Sequence, residues 1–200
     1  MTEGKKMKRT NFIIMIICSS EEKIIYIDPI TEQETIEIQE QASATIYIGA
    51  NKKLHLAIML AGEGASVAVT GRFLGKDNDT QDTTMRVVMC SPDTRCDIHF
   101  RAALADSSSS FFDGLIRVEE GAKNARGYLS YRALLLSPNA RAKPIPRLEV
   151  LTKEAASLGH AASVGKIDAD QLFYLQSRGL SRKEAEKIII DGFLGREIMA

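Results

Sequence analysis

The sequence predicts a mainly β protein, with short strands stacked as the coils of a β-solenoid (β-helix) and a small α-helical domain at the C-terminal end. Three observations carry that expectation. Segments rich in β-branched residues, mostly alternating between apolar and polar side chains, follow one another from Glu22 to about Leu151. A turn residue followed by small or polar residues and then a strand recurs at irregular intervals, as in stacked coils where insertions enter at corners. After "GKID" (Gly165 to Asp168) the apolar residues change from strand-like alternation to helical spacing. A β-sandwich or a jelly roll would space its strands similarly, so the pattern alone leaves those arrangements open.

The first element is the apolar run "FIIMIIC" (Phe12 to Cys18), which follows a basic start, "KKMKR". Seven apolar residues are too few to span a bilayer, and "SSEEK" stands where a signal sequence would need a cleavage site. The run therefore reads as a first or edge strand. The strands "KIIYID", "TIEIQE", "ATIYIG", "KLHLAIML", "SVAVTGRF", "TMRVVMC" and "CDIHFRAAL" come next. Over them lie the turn-plus-strand units "QASATIYIG" from Gln41, "EGASVAVTG" from Glu63, "SPDTRCDIHF" from Ser91, "EGAKNARGYLSYRALLLS" from Glu120 and "SPNARAKPIPRLEV" from Ser137.

Asp168 is placed to cap a helix that starts at Ala169, with Gln171 at its third position, apolar bulk from Leu172, Phe173 and Leu175, and an end at Gly179. Ser181 and Glu184 form an S-x-x-E capping box, after which Ala185, Ile188, Ile189 and Phe193 recur at helical spacing. Two short helices around "SRGLS" make an αα-hairpin too small to hold a core. Ile190 and Leu194 widen its apolar surface, so it packs on the β body, docks a partner, or both.

Composition narrows the function classes. Two hundred residues suit one principal domain with an appendage. Twenty-six basic residues balance twenty-six acidic ones, so no global field favours nucleic acid or a membrane surface, and neither is an expected partner. Cys18, Cys90 and Cys96 are an odd set without disulfide-framework spacing, which fits a reducing, cytoplasmic setting.

Four motifs in order carry a family resemblance: "F-x-G-x-I-x-V-x-x-G-A" (Phe112 to Ala122), "LLLSPNA" (Leu134 to Ala140), "H-A-A-S-V-G-K-I-D" (His160 to Asp168) and "Q-L-F-Y-L-x-S-R-G-L-S-x-x-E-A" (Gln171 to Ala185). Together they make this segment similar to the carboxy-terminal half of the SufB/SufD family of iron–sulfur cluster assembly scaffolds, closest to the SufD branch. The resemblance implies a right-handed parallel β-helix followed by a small helical domain, without the helical amino-terminal domain of longer members. It implies residues 1–19 as an N-terminal segment with the first strand, 20–157 as the β-helix core, and 158–200 as an interface segment with the helical hairpin.

It also implies roles. In the SufD branch a histidine in "S-H-G-A-T-V-G" stands at a dimer interface and takes part in cluster assembly, and His160 in "G-H-A-A-S-V-G" matches it. A neutral imidazole can bind iron, but one histidine cannot hold a cluster, so any transient iron–sulfur cluster would be shared with a partner. The implied partners are a SufB-like subunit, or a second copy as a homodimer, and a SufC-like ABC-type ATPase docking on Phe173, Tyr174, Ile188, Ile189 and Phe193. The SufB branch carries a cysteine and a glutamate where this chain has Tyr131 and Ala161. These departures place the chain nearer SufD and keep open a cofactor-free β-helix interaction module.

Other candidate sites have plainer readings. Cys90, Cys96 and His99 are spaced C-x5-C-x2-H, but Cys96 and His99 differ by an odd number on one strand and so face opposite ways. Asp77, Asp79 and Asp82 lack the glycine and terminal glutamate of an EF-hand and read as a solvated corner; they are the one feature favouring a polysaccharide-active β-helix enzyme. "GEGAS" at Gly62 lacks the lysine of a phosphate loop. Ser107 to Ser110 read as a flexible turn rather than a nucleophile. The expected function is a non-enzymatic scaffold, with ATPase activity only in a partner.

Overall fold

The computed structural model describes residues 14–27, 33–49 and 53–195. Twelve strands and two helices lie among them: β1 (Ile14–Ile17), β2 (Glu22–Ile27), β3 (Gln33–Ile38), β4 (Ser43–Ile48), β5 (Lys53–Leu60), β6 (Ser66–Gly75), β7 (Thr80–Met89), β8 (Arg95–Leu104), β9 (Ser109–Val118), β10 (Arg126–Leu135), β11 (Arg141–Val150), β12 (Ser157–Lys166), α1 (Ala169–Ser177) and α2 (Arg182–Leu194). Phe12 and Ile13 of the expected first strand lie outside the described residues.

Every strand pairs in parallel with the strand two places along the chain. The chain therefore passes alternately between two six-stranded sheets, a first of order β1-β3-β5-β7-β9-β11 and a second of order β12-β10-β8-β6-β4-β2. This is a parallel β-solenoid; a sandwich or jelly roll would pair its strands antiparallel. Coils lengthen along the axis: Glu22 lies beside Ser43, Ser66 beside Arg95, and Arg126 beside Ser157.

The recurring turn-plus-small pattern has a physical cause at the corner that leads into the second sheet. Gln41, Gly64, Asp93 and Asn124 take left-handed backbone there, with φ of 54°, 69°, 57° and 55°. Each donates its N–H to a carbonyl of the next coil, to Glu63, Pro92, Lys123 and Glu154 respectively, at 2.8–3.0 Å. The following residue, Ala42, Ala65, Thr94 or Ala125, is buried inside the corner, where only a small side chain fits.

Alternating residues of each strand fill the interior in straight rows. In one row Ile25, Ile46, Val69, Ile98 and Leu129 lie in register. In the next, Ile27, Ile48, Gly71, Phe100 and Tyr131 do the same. Gly71 makes room for Phe100, whose ring would lie 2.0 Å from a β-carbon there. Phe100 and Tyr131 stack at 6.0 Å with an 8° interplanar angle, and Phe112 of the first sheet packs on both. The buried Tyr131 hydroxyl donates to Ser110 Oγ at 2.8 Å. Burial pushes that phenol up to about 12 against the opposing effect of the hydrogen bond.

Three expectations on this body meet the geometry differently. Cys96 faces the core, where burial pushes its thiol up, while His99 faces out between Asp97 (3.0 Å) and Ser130 (2.7 Å), so the spaced cysteines and histidine do not converge. Asp77 and Asp79 sit in a corner, and Asp82 lies on β7; among the described residues no group of three or more His, Cys, Asp or Glu side chains is placed to hold a metal. The serine run is a turn only in its first half: Ser109 and Ser110 begin β9, because Ser110 is drawn inward to meet Tyr131.

The second sheet also runs on to Lys166, so residues 157–166, mostly placed by the sequence in the interface segment, are its last strand. Beyond it Asp168 Oδ1 accepts from the N–H groups of Asp170 and Gln171, and Ser181 and Glu184 close a reciprocal capping box. The hairpin rests on the outer face of the second sheet through α2, which buries Ala185 and Leu194. α1 buries no residue.

Candidate functional site

The solenoid ends in β11 and β12, the terminal strands of the two sheets. Among the described residues no further coil covers them, so their inward rows form an open end face: Pro144, Pro146 and Leu148 on β11, and Leu158, His160 and Val164 on β12, by register with the buried rows of β9 and β10. His160 stands on Leu129 and continues the row Ile25–Ile46–Val69–Ile98–Leu129, replacing an aliphatic side chain with an exposed imidazole. Ala162 stands on Tyr131 and adds little bulk beside it.

The two edges of this end face differ. β11 stays paired with β9 along its whole length despite Pro144 and Pro146, so the N–H groups those prolines lack are missing from its free side. β12 contains no proline and leaves a free edge with its donors intact. Tyr131 and Ala161 do not join His160: Tyr131 lies one coil below the end face, and Ala161 is outward-facing beside Ser130.

The hairpin forms the second candidate surface. A groove of about 560 Å³ opens between the helices and the ends of β10 and β12. Tyr174, Ile188, Ile189 and Phe193 converge on it with Leu134 of β10. Phe173 does not: it is 72% exposed and lies outside the groove. A contact invisible in the sequence fixes the far end of α2, where Arg101 Nη1 donates to the Phe193 carbonyl at 2.9 Å. That carbonyl belongs to the negative end of the helix dipole, which a guanidinium stabilises. Only Ile167 and Asp168 separate β12 from α1, so the groove and the His160 strand are adjacent in the chain.

Residues 31–193 match the family model described as the SufBD core domain of SUF system iron–sulfur cluster assembly. The chain belongs to the SufBD family. It is similar to the iron–sulfur cluster assembly protein SufD of Bacillus subtilis, with 32% identity covering 92% of this chain and 45% of that protein. It is also similar to iron–sulfur cluster assembly SufBD family proteins of Mycobacterium tuberculosis and Mycobacterium leprae, at 29% identity, covering 78% and 72% of this chain and 41% and 42% of those proteins. The chain thus spans less than half the length of these relatives. The SufBD match takes in both candidate surfaces, from β3 through Phe193 of α2. Among the described residues no helix is long and apolar enough to cross a membrane.

Proposed function

We propose that this SufBD chain is a scaffold subunit of iron–sulfur cluster assembly, pairing through the open end of its solenoid with a SufB-like subunit or a second copy of itself. The observation that carries the reading is His160, which interrupts an apolar row where the row reaches an exposed edge. The apolar end face and the free edge of β12 suit a second solenoid end, because association would bury the one and pair the other. His160 would then supply one imidazole to a cluster held as transient cargo, the other ligands coming from the partner or from inorganic sulfide.

The hairpin groove serves a SufC-type ATPase. Tyr174, Ile188, Ile189 and Phe193 offer an apolar patch of the kind that anchors an interface. Nucleotide chemistry belongs to that partner, and this chain performs no catalytic step. A second reading, a cofactor-free interaction module, is favoured by Tyr131 and Ala161: the first is buried one coil below the end face and the second faces outward, and neither carries a thiolate or a carboxylate to accompany His160.

Anaerobic reconstitution with ferrous iron and sulfide separates the two. The scaffold reading expects a cluster absorption spectrum when the chain is mixed with a SufB-like partner or forms its own dimer. Intact dimerisation with no cluster under any combination would overturn it in favour of the module.

A further inference from the structure

We propose that Arg95 and Arg126, on the outer face of the second sheet, form a docking site for an acidic segment of a partner polypeptide, beside the end-face strand β12 and apart from the hairpin groove. That face carries five arginines: Arg72 on β6, Arg95 and Arg101 on β8, Arg126 and Arg132 on β10. Register sets Arg95 beside Arg126, and Arg72 beside Arg101 beside Arg132. Adjacent strands lie about 4.8 Å apart, so each such neighbour pair sets like charges together and costs stability. The outer face of the first sheet is arranged otherwise, with Arg147 paired to Asp113 and Arg117 to Glu149 and Glu119. Among the described residues no ion pair engages any of the five arginines.

The Arg72–Arg101 row has a structural explanation. Arg101 donates to the Phe193 carbonyl, and both guanidinium groups lie beside Gly195 at the end of α2. The Arg95–Arg126 row has none. These two exposed side chains border an open depression of about 590 Å³ with Tyr128 and His99. The carboxylate within it, Asp97, is held by His99 Nε2 at 3.0 Å, and Glu63 and Asp93 lie in the neighbouring corner beyond ion-pair distance.

Two guanidinium groups on neighbouring strands match discrete carboxylates, and the partly exposed Tyr128 ring adds apolar contact for the segment bearing them. A nucleic acid fits less well. Asp97 interrupts any continuous phosphate track, and the balanced charge of the chain supplies no long-range field.

The test uses the full chain and a fluorescent peptide of alternating glutamate and leucine, followed by anisotropy at low and physiological ionic strength. Arg95→Gln/Arg126→Gln is expected to weaken binding roughly tenfold, the loss of a charge-assisted contact, while Arg86→Gln on the first sheet leaves it unchanged. The double variant should also melt no lower than the wild type, because like-charge repulsion is relieved. Equal peptide binding by the double variant, no binding by the wild type, or tighter binding of an oligonucleotide of equal charge would overturn the proposal. A lower melting temperature would do so too, since it would make the arginines structural.

Discussion

His160 stands directly on Leu129, one strand further along the same inward row. Leu129 is fully buried and His160 is exposed, so the boundary between core and surface falls between these two residues. A side chain at the position of His160 therefore meets whatever covers the solenoid end without itself supporting the core.

Tyr131 is the sharpest contrast. The resemblance to the SufB branch implies a cysteine at that position, yet here Tyr131 is a core aromatic packed on Phe100 and Phe112. Tyr131→Cys should cost about 3 kcal/mol or more by leaving a cavity. Its thiol, in the dry interior that also pushes Cys96 up, should react with alkylating reagents far more slowly than the exposed Cys18. Chemical denaturation and mass-spectrometric labelling check both parts; labelling at 131 as fast as at Cys18 would count against the placement.

The same ring makes an alkaline prediction. Folded Tyr131 keeps its proton up to about 12, whereas an unfolded tyrosine releases it near 10.0. Between those values the folded state binds more protons, so stability falls as pH rises, by about 1.4 kcal/mol per pH unit at most from this one group. Tyr131→Phe should lose about 1 kcal/mol at neutral pH with the Ser110 hydrogen bond but show a shallower alkaline decline. Urea midpoints measured across that window compare the two proteins, and parallel declines would refute the assignment.

Gly71 and Phe100 are complementary in size. Gly71→Ala should destabilise by about 1–3 kcal/mol, since the new methyl meets the Phe100 ring. Adding Phe100→Leu should recover part of that loss. Gly62→Ala should show no such rescue, because its methyl would meet the backbone of Glu40 at 2.0 Å. Thermal unfolding of the single and paired variants gives the coupling directly.

On the hairpin, Ile188→Asp and Phe173→Asp should behave differently. Ile188 lines the groove and Phe173 does not, so the first substitution should weaken binding of a SufC-type ATPase by about tenfold or more. The second should have a much smaller effect, with the β-body intact in both. Titration of each variant with the ATPase provides the comparison; equal losses would extend the docking surface to the outer side of α1.

The sequence makes the strands and both helix caps legible because each depends on local spacing: alternation for "KLHLAIML", and an S-x-x-E box for α2. The closing of the coils is less legible, since Leu129 and His160 meet through pairing across a full turn. β12 is the weakest signal. "SLGHAASVGK" contains one β-branched apolar residue, Val164, and its outward positions are Ser157, Gly159, Ala161, Ser163 and Gly165, so propensity is silent where the strand is held by pairing with β10. Motif resemblance singled out His160, but its place at the end of an apolar row needs the register. The division of the hairpin's apolar residues, with Tyr174 in the groove and Phe173 outside it, likewise depends on how the two helices cross.

Cluster accumulation in His160→Ala is the most direct test of the scaffold account. The measurement is iron and sulfide content with the cluster absorption spectrum after anaerobic reconstitution, in complexes of matched subunit composition. The account predicts a clear loss in His160→Ala, partial retention in His160→Cys because a thiolate also binds iron, and unchanged folding and pairing in both. Equal cluster yield from the wild type and His160→Ala would contradict it and remove His160 from cluster assembly.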